Sequence, residues 1–242
     1  MMTQAHSQNL IVIDLEATCA ESDQSPSSSE MEIIEIGAVR LDANLEPSDD
    51  TFEAFVRPVN FPKLTDFCKS LTHIEQTQVD EANTLSDVVV EFSHWLGESP
   101  VLLGWGMWDH EQLIREVPSS LFDFRTVEYI NLKREFYRLR KMREGSLKAA
   151  IDRAGLSFIG TPHRALSDAI TTAQLAPLSG LAEYDPLWQQ LCEWSGRSAL
   201  QLRPWLRAPH PKLGGKTPMH VILNPEGRVK LKALFEAIDG IF

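Results

Sequence analysis

The sequence predicts an α/β fold in which helices cover both faces of a mixed five-stranded sheet, followed by a small all-α segment. Three observations lead to this fold class. Short β-branched apolar runs recur early in the chain. Strand-like and helix-like patterns then alternate, which is typical of a sheet covered on both sides. Beyond about residue 180 the pattern pauses, and a segment rich in tryptophan and proline follows.

The predicted strands begin with the run at residues 10–13, which is too short and too β-branched for a helix. Residues 33–41 and 51–57 would continue this strand as an antiparallel meander. Shorter strands are predicted at residues 100–103 and 126–132.

The predicted helices show apolar residues at helical spacing between recognisable caps. Residues 85–96 are the clearest case, because Thr84 suits an N-cap and Gly97 suits a stop. Ser146 and Gly155 bracket another helix in the same way. Further helices are predicted at residues 108–117 and 165–178.

The pause near residue 180 predicts two domains, at residues 1–182 and 183–242. The second domain contains no evident catalytic group, and its tryptophans would suit a small helical core. A chain of 242 residues has room for this arrangement.

Composition excludes several classes of protein. A hydrophobic share of 43% and a charged share of 24% are ordinary for a globular chain, unlike disordered, collagen-like or coiled-coil proteins. The net charge of −11 argues against extended, non-specific binding to duplex nucleic acid. No apolar run approaches the roughly 20 residues that span a bilayer. The start of the chain does not resemble a signal peptide, so we expect a cytoplasmic protein with reduced cysteines and no membrane contact.

Two carboxylates at the end of the first strand provide the first candidate site. Asp14 and Glu16 are separated by one residue, so both would project from the same face of the strand. No lysine or arginine lies nearby in the sequence to offset their repulsion. Oxygen ligands of this kind favour Mg²⁺ or Mn²⁺. The alternative, that the two acids merely solvate a strand end, stays open from this motif alone.

Three more candidates lie where predicted helices begin. Asp109 follows a predicted strand, at a junction where α/β proteins place ligand-binding groups. His163 and Asp168 straddle the start of a later helix. Taken singly, each could be an ordinary capping or surface residue.

These segments together resemble the three motifs of the DEDDh exonuclease superfamily: Asp14-Leu-Glu-Ala-Thr-Cys19, Gly104-Trp-Gly-Met-Trp-Asp109 and His163-Arg-Ala-Leu-Ser-Asp168. The segment Ser70-Leu-Thr-His-Ile74 is similar to the histone-mRNA 3′-exonuclease (enhanced-RNAi-type) branch, although His73 stands where that branch more often has glycine. The resemblance implies an RNase H-like fold, two Mg²⁺ ions with Mn²⁺ as a substitute, and release of nucleoside 5′-monophosphates.

The resemblance also implies roles for the five residues. Asp14 would bridge both ions, Glu16 and Asp168 would bind the first, and Asp109 would support the second. His163 would act as general base, which suits an imidazole with a pKa near neutrality. The expected substrate-binding residues are Ala17, Thr18, Phe67 and Trp108.

The two aromatic residues and a basic run in the sequence each have a competing interpretation. Phe67 and Trp108 could stack on terminal bases or could be core residues. The segment from Lys133 to Glu144 holds six basic and two acidic residues, a balance of 6 − 2 = +4. This basic run could follow phosphates toward the site or could be a solvated helix face.

The C-terminal segment resembles the ParS/MbcA-type toxin-binding module of bacterial antitoxins, through Trp205 to Pro218 and the helix predicted to end near Ile238. This resemblance implies a protein partner or self-association. Three functions therefore stay open. We favour a 3′-to-5′ exonuclease acting on single-stranded 3′ ends, RNA before DNA. The others are a DNA proofreading or repair exonuclease with the same five residues, and an antitoxin-like binding protein.

Overall fold

A five-stranded mixed sheet forms the centre of the fold in the computed structural model, which describes residues 9–22, 24–181, 185–195, 205 and 208–239. The strand order is β3-β2-β1-β4-β5. Strands β1, β2 and β3 pair antiparallel, whereas β4 and β5 run parallel to β1. The predicted sheet is confirmed. The strands are β1 Asn9–Ala17, β2 Ile33–Leu41, β3 Pro47–Phe55, β4 Pro100–Gly104 and β5 Glu128–Asn131.

Helices cover both faces of this sheet, because alternate residues of the strands enter two different cores. Ile11 of β1 packs in one core with Phe92, whereas Val12 packs in the other with Ala169. The helices in the described residues are α1 Asp66–Thr72, α2 Gln76–Asp80, α3 Leu85–Leu96, α4 Trp108–Glu116, α5 Leu132–Arg140, α6 Leu147–Ala154, α7 Ala165–Ala173, α8 Pro186–Ser195, α9 Pro218–Ile222 and α10 Pro225–Asp239.

Capped helices agree best with the sequence predictions, and edge elements agree least. Helix α3 has the predicted N-cap at Thr84, whose side chain accepts a hydrogen bond from the backbone N–H of Asp87. Strand β3 begins at Pro47 rather than at residue 51, because an edge strand tolerates solvent-facing polar residues. Helix α1 was not predicted, since seven residues are too few for a clear apolar period.

The C-terminal helices have a small core of their own. Leu187, Trp188 and Ile222 are buried in it, and Trp205 packs against it. The boundary predicted between residues 182 and 183 falls at residues outside the described ranges, so it stays a prediction. The side chain of Trp194 also lies outside the described residues.

Two arginines connect this helical module to the sheet domain. Arg228 of α10 donates to the Asp185 carboxylate at 2.8 Å and to the carbonyl of Pro177 at 2.6 Å. Arg140 of α5 donates to the carbonyl of Leu223 at 3.0 Å. Across the predicted boundary, each arginine thus donates to a backbone carbonyl on the other side.

The helices and cysteines bear on two further predictions. No helix in the described part of the chain is long and apolar enough to cross a bilayer. Cys19, Cys68 and Cys192 form no disulfide among the described residues, and their reduced state stays a prediction.

Candidate active site

Strand β1 presents the first two carboxylates of the site. Asp14 lies opposite Gly37 of β2, and Glu16 lies opposite Glu35. Since side chains alternate along a strand, Asp14 and Glu16 project from the same face of the sheet. This arrangement agrees with the geometry predicted from their spacing.

Helix α4 brings the third carboxylate to β1. Asp109 is buried in the first turn of this helix, directly after the end of β4. Its Oδ1 accepts a hydrogen bond of 3.1 Å from the backbone N–H of Leu15. Asp109 is thereby fixed beside the residue that separates Asp14 from Glu16.

Helix α7 supplies the last carboxylate, Asp168, and the turn before this helix supplies His163. A Cβ on Gly37 would lie only 2.1 Å from the backbone nitrogen of Leu166, so the missing side chain permits α7 to cross β2 closely. Ligand atoms of Glu16, His163 and Asp168 all lie within 4.8 Å of one another. Three sequence segments, at residues 14–16, 109 and 163–168, therefore converge.

Burial raises the pKa of each acid in this group, and the charges of neighbouring acids raise it further for Asp14, Glu16 and Asp168. Burial raises the pKa of Asp14 well above its ordinary range, and the charges of Asp109 and Asp168 raise it further. Burial, followed by the charge of Asp168, raises the pKa of Glu16 to about 8. Burial also raises the pKa of Asp109 and of Asp168 to about 6.

The residues present fit a divalent cation. Oδ1 of Asp168 is buried and has no hydrogen-bond partner within the described structure, so it is an oxygen left available for a ligand. Arg164 lies near Glu16, but its guanidinium is bonded to Glu35 and Glu53. A cluster of carboxylate oxygens with this uncompensated charge suits Mg²⁺ or Mn²⁺.

Glu35, a fully buried acid beside the site, was not predicted from the sequence. Its carboxylate accepts hydrogen bonds from Arg164 and from the backbone N–H of Ala165. A signal was available, because Glu35 is a lone charge inside the apolar run from Ile33 to Ile36. A buried charge requires a partner, but the sequence did not identify one.

The structure separates the four expected substrate-binding residues into two pairs. Phe67 and Trp108 are 39% and 38% exposed, which disagrees with the core alternative and leaves their faces available. Ala17 and Thr18 are buried. The Thr18 hydroxyl accepts a hydrogen bond from the N–H of Glu32 at 2.9 Å, so this side chain helps to order the backbone after β1.

The basic run from Lys133 to Glu144 is only partly available to phosphates. Arg138 pairs with Glu135 at 2.6 Å. Arg140 donates to the carbonyls of Phe136, Leu178 and Leu223 and has a pKa lowered by burial to about 10. Arg140 therefore serves the module interface, which the sequence did not indicate.

The comparisons with known proteins agree with this geometry. The Exonuclease family model matches residues 11–176. A second model, the antitoxin Xre/MbcA/ParS C-terminal toxin-binding domain, matches residues 193–240. The chain is therefore similar to two unrelated families in consecutive segments.

Curated relatives match the first of these segments. The human 3′-5′ exoribonuclease 1 is 30% identical over 179 residues, covering 69% of this chain and 51% of the relative. The probable 3′-5′ exonuclease KapD of Bacillus subtilis is 34% identical over 183 residues, covering 70% of this chain and 83% of the relative. The chain thus spans about half the length of the human relative and most of the bacterial one.

Solved structures extend the similarity to the fold. The nuclease domain of 3′hExo, a DEDDh family member bound to rAMP, matches with a TM-score of 0.64 and 29% identity, covering 72% of this chain and 92% of that domain. The family model covers more than half of the sequence. The chain therefore belongs to the exonuclease family, as a DEDDh-type member with an RNase H-like fold.

Proposed function

We propose that this protein is a metal-dependent 3′-to-5′ exonuclease that shortens single-stranded ends, RNA in preference to DNA. One observation carries the proposal: carboxylates from β1, α4 and α7 gather in a buried cluster whose pKa values are raised by desolvation and repulsion. Perturbed pKa values of this kind are concentrated at functional sites.

Four acids would hold the metal: Asp14, Glu16, Asp109 and Asp168. Two Mg²⁺ ions, with Mn²⁺ as a substitute, would supply a Lewis acid for the phosphate, an activated water and stabilisation of the leaving 3′-oxygen. The charges of the other three acids all raise the pKa of Asp14, so Asp14 lies near each of them. This position suits a bridging ligand.

His163 would act as the general base. It is exposed, and one of its ring nitrogens lies within 4.8 Å of ligand oxygens of Glu16 and Asp168. An imidazole in this position can take the proton of an attacking water at neutral pH, whereas a metal-bound carboxylate does so poorly. The product would be a nucleoside 5′-monophosphate.

Phe67 and Trp108 would stack on the terminal bases, and Ala17 with Thr18 would shape the pocket beside them. The exposure of both rings supports stacking. The preference for RNA rests on the relatives, among them a 3′-exonuclease of 30% identity whose structure concerns recognition of the histone mRNA stem-loop 3′ end.

The test uses the whole chain with end-labelled single-stranded RNA and DNA of the same sequence, with Mg²⁺ or with chelator, beside Asp14→Asn. We expect stepwise 3′ shortening of RNA that requires metal and is lost in the variant. Equal or faster loss of DNA would favour a DNA proofreading or repair exonuclease instead. Shortening that ignores both chelator and substitution would contradict the assignment.

A second candidate function, partner binding by residues 183–242, is favoured by the antitoxin-type family match. We propose that this segment is a separate module for a protein partner or for self-association. A concave pocket of about 610 Å³, lined by Lys212, Lys216 and Lys230, lies on its surface. Light scattering of the full chain and of a truncation after Gly180 tests self-association through this segment, and an equal number of chains per particle for both would exclude it.

A further inference from the structure

Glu35 lies beside the proposed metal ligands but is already fully bonded. It is directly opposite Glu16 in the β1–β2 register, and none of its surface is exposed. Its Oε1 accepts hydrogen bonds from Nε and Nη2 of Arg164 at 3.1 and 2.8 Å. Its Oε2 accepts from the N–H of Ala165 at 2.9 Å. Both oxygens therefore face α7 rather than a metal.

Arg164 is fixed from three sides by these contacts. Besides the Glu35 carboxylate, its Nη2 donates to Glu53 at 3.2 Å. Its guanidinium also lies over the ring of Phe55, at 5.2 Å from the ring centroid. A planar guanidinium that donates to two carboxylates and lies over a ring face has little freedom to rotate.

The residue before Arg164 is the proposed base, and its backbone is strained. His163 has φ = 60°, in the left-handed region that residues other than glycine rarely adopt. Within the described parts of the chain, no hydrogen bond or ion pair holds its imidazole. The backbone around it must therefore fix its position.

That backbone is anchored through Arg164. The Arg164 carbonyl accepts a 2.9 Å hydrogen bond from the N–H of Asp168. The backbone N–H of His163 lies close enough to the Asp168 carboxylate to lower the pKa of that acid, which burial otherwise raises. We infer that Glu35 and Arg164 are positioning residues, which hold His163 in its left-handed conformation facing the carboxylate cluster. This inference rests on the proposed function, because it assigns His163 a task.

The test compares Glu35→Gln and Arg164→Lys with the wild type, each alone and combined with His163→Ala. Glutamine keeps an acceptor for Ala165, and lysine keeps the charge but loses the planar pair of donors. Arg40→Lys is the matched control. Arg40 lies on β2, as Glu35 does, and like Arg164 it pairs with a carboxylate, that of Asp50, at 2.7 Å.

We expect each positioning variant to lower kcat on single-stranded RNA by about 10- to 100-fold, as outer residues of metal sites do, with little change in KM. In the His163→Ala background the same substitutions should lower kcat by less than about threefold, because the group that they position is gone. Arg40→Lys should leave kcat unchanged. If Glu35→Gln does not fold, as judged by its circular dichroism, Arg164→Lys carries the test.

Two outcomes would overturn the inference while leaving the nuclease assignment intact. One is an active wild type whose kcat is unaffected by both substitutions. The other is a loss of the same size with and without His163, which would show that Glu35 and Arg164 act only on overall structure or on Asp168. An inactive wild type would instead contradict the proposed function itself.

Discussion

Two buried carboxylates in this molecule each pair with an arginine, but their surroundings differ. Glu35 at the active site and Asp185 at the module interface are both fully buried, and each meets one arginine at 2.8 Å. Arg228 also donates to the carbonyls of Pro177 and Ile222, so the interface pair is surrounded by compensating groups. The active-site pair instead lies beside four other acids whose pKa values are raised.

This difference shows that a buried ion pair can have either a structural or a functional role. At the interface, the pair satisfies polar groups and joins two segments of the chain. At the active site, Glu35 and Arg164 neutralise each other. The arginine therefore does not offset the charge of the remaining carboxylates, which repel one another until a cation binds. Stability and function therefore make opposite demands on these two regions.

The largest expected effect separates the two regions most clearly. Asp14→Asn should lower exonuclease activity by at least ~10³-fold, or roughly 4 kcal/mol in barrier, because the proposed bridging ligand is lost. The same change should raise the unfolding midpoint in chelator, since it removes repulsion among buried acids. Initial rates and thermal melts measure both effects. A variant that is both inactive and less stable would contradict this account.

Asp185→Asn should show the opposite pattern. Leaving Arg228 without its buried partner should cost about 3 kcal/mol of unfolding free energy. Exonuclease kcat measured on the folded protein should stay unchanged, because the pair lies outside the carboxylate cluster. Denaturant unfolding and RNA shortening provide the two readouts. A clear fall in the kcat of the folded variant would contradict this prediction and would mean that the module contributes to catalysis.

The pH dependence of stability sharpens the same contrast. In chelator, the folded protein keeps protons that the unfolded chain has released, since the pKa values of Asp109 and Asp168 rise to about 6 and that of Glu16 to about 8. Stability from these groups is present below about pH 4 and is lost as the pH rises through 6 to 8.

The expected loss is at least about 3 kcal/mol, which is the contribution of a single buried aspartate whose pKa rises from 3.8 to about 6. Saturating Mg²⁺ should reverse the loss near pH 8, where the ligands are ionised. Thermal melts across this range, with and without Mg²⁺, measure the effect. Asp14→Asn is the informative control, because the melting temperature of this variant should fall less steeply with pH. A melting temperature that is independent of pH in chelator would mean that the acids are not coupled to folding.

The smallest effect concerns backbone strain. The described turns of the module use Gly214 and Gly215 where φ is positive. The active-site domain uses glycines there too, but it also has other residues at positive φ, among them His73 and His163. His73→Gly should stabilise the protein by about 0.5 to 1 kcal/mol, because glycine suits the left-handed C-cap of α1. Thermal unfolding tests this, and Ser70→Gly in the interior of the same helix should destabilise it instead.

The sequence by itself determined those features that depend on neighbouring residues. Alternation along β1 predicted that Asp14 and Glu16 share a face, and capping residues at Thr84 and Ser146 marked helix starts that the structure has. The motif resemblance indicated the family, which the comparisons confirmed. These successes share a physical cause, since strand period and helix capping are set within a few residues.

Only the tertiary structure decided which distant groups neutralise one another. Glu35 and Arg164 are 129 positions apart, and no local pattern connects them. In the same way, Arg140 belongs to a basic run in the sequence, but in the fold it bonds the carbonyl of Leu223. The reason is that a buried charge must find a partner wherever packing supplies one, and packing depends on the arrangement of the whole chain.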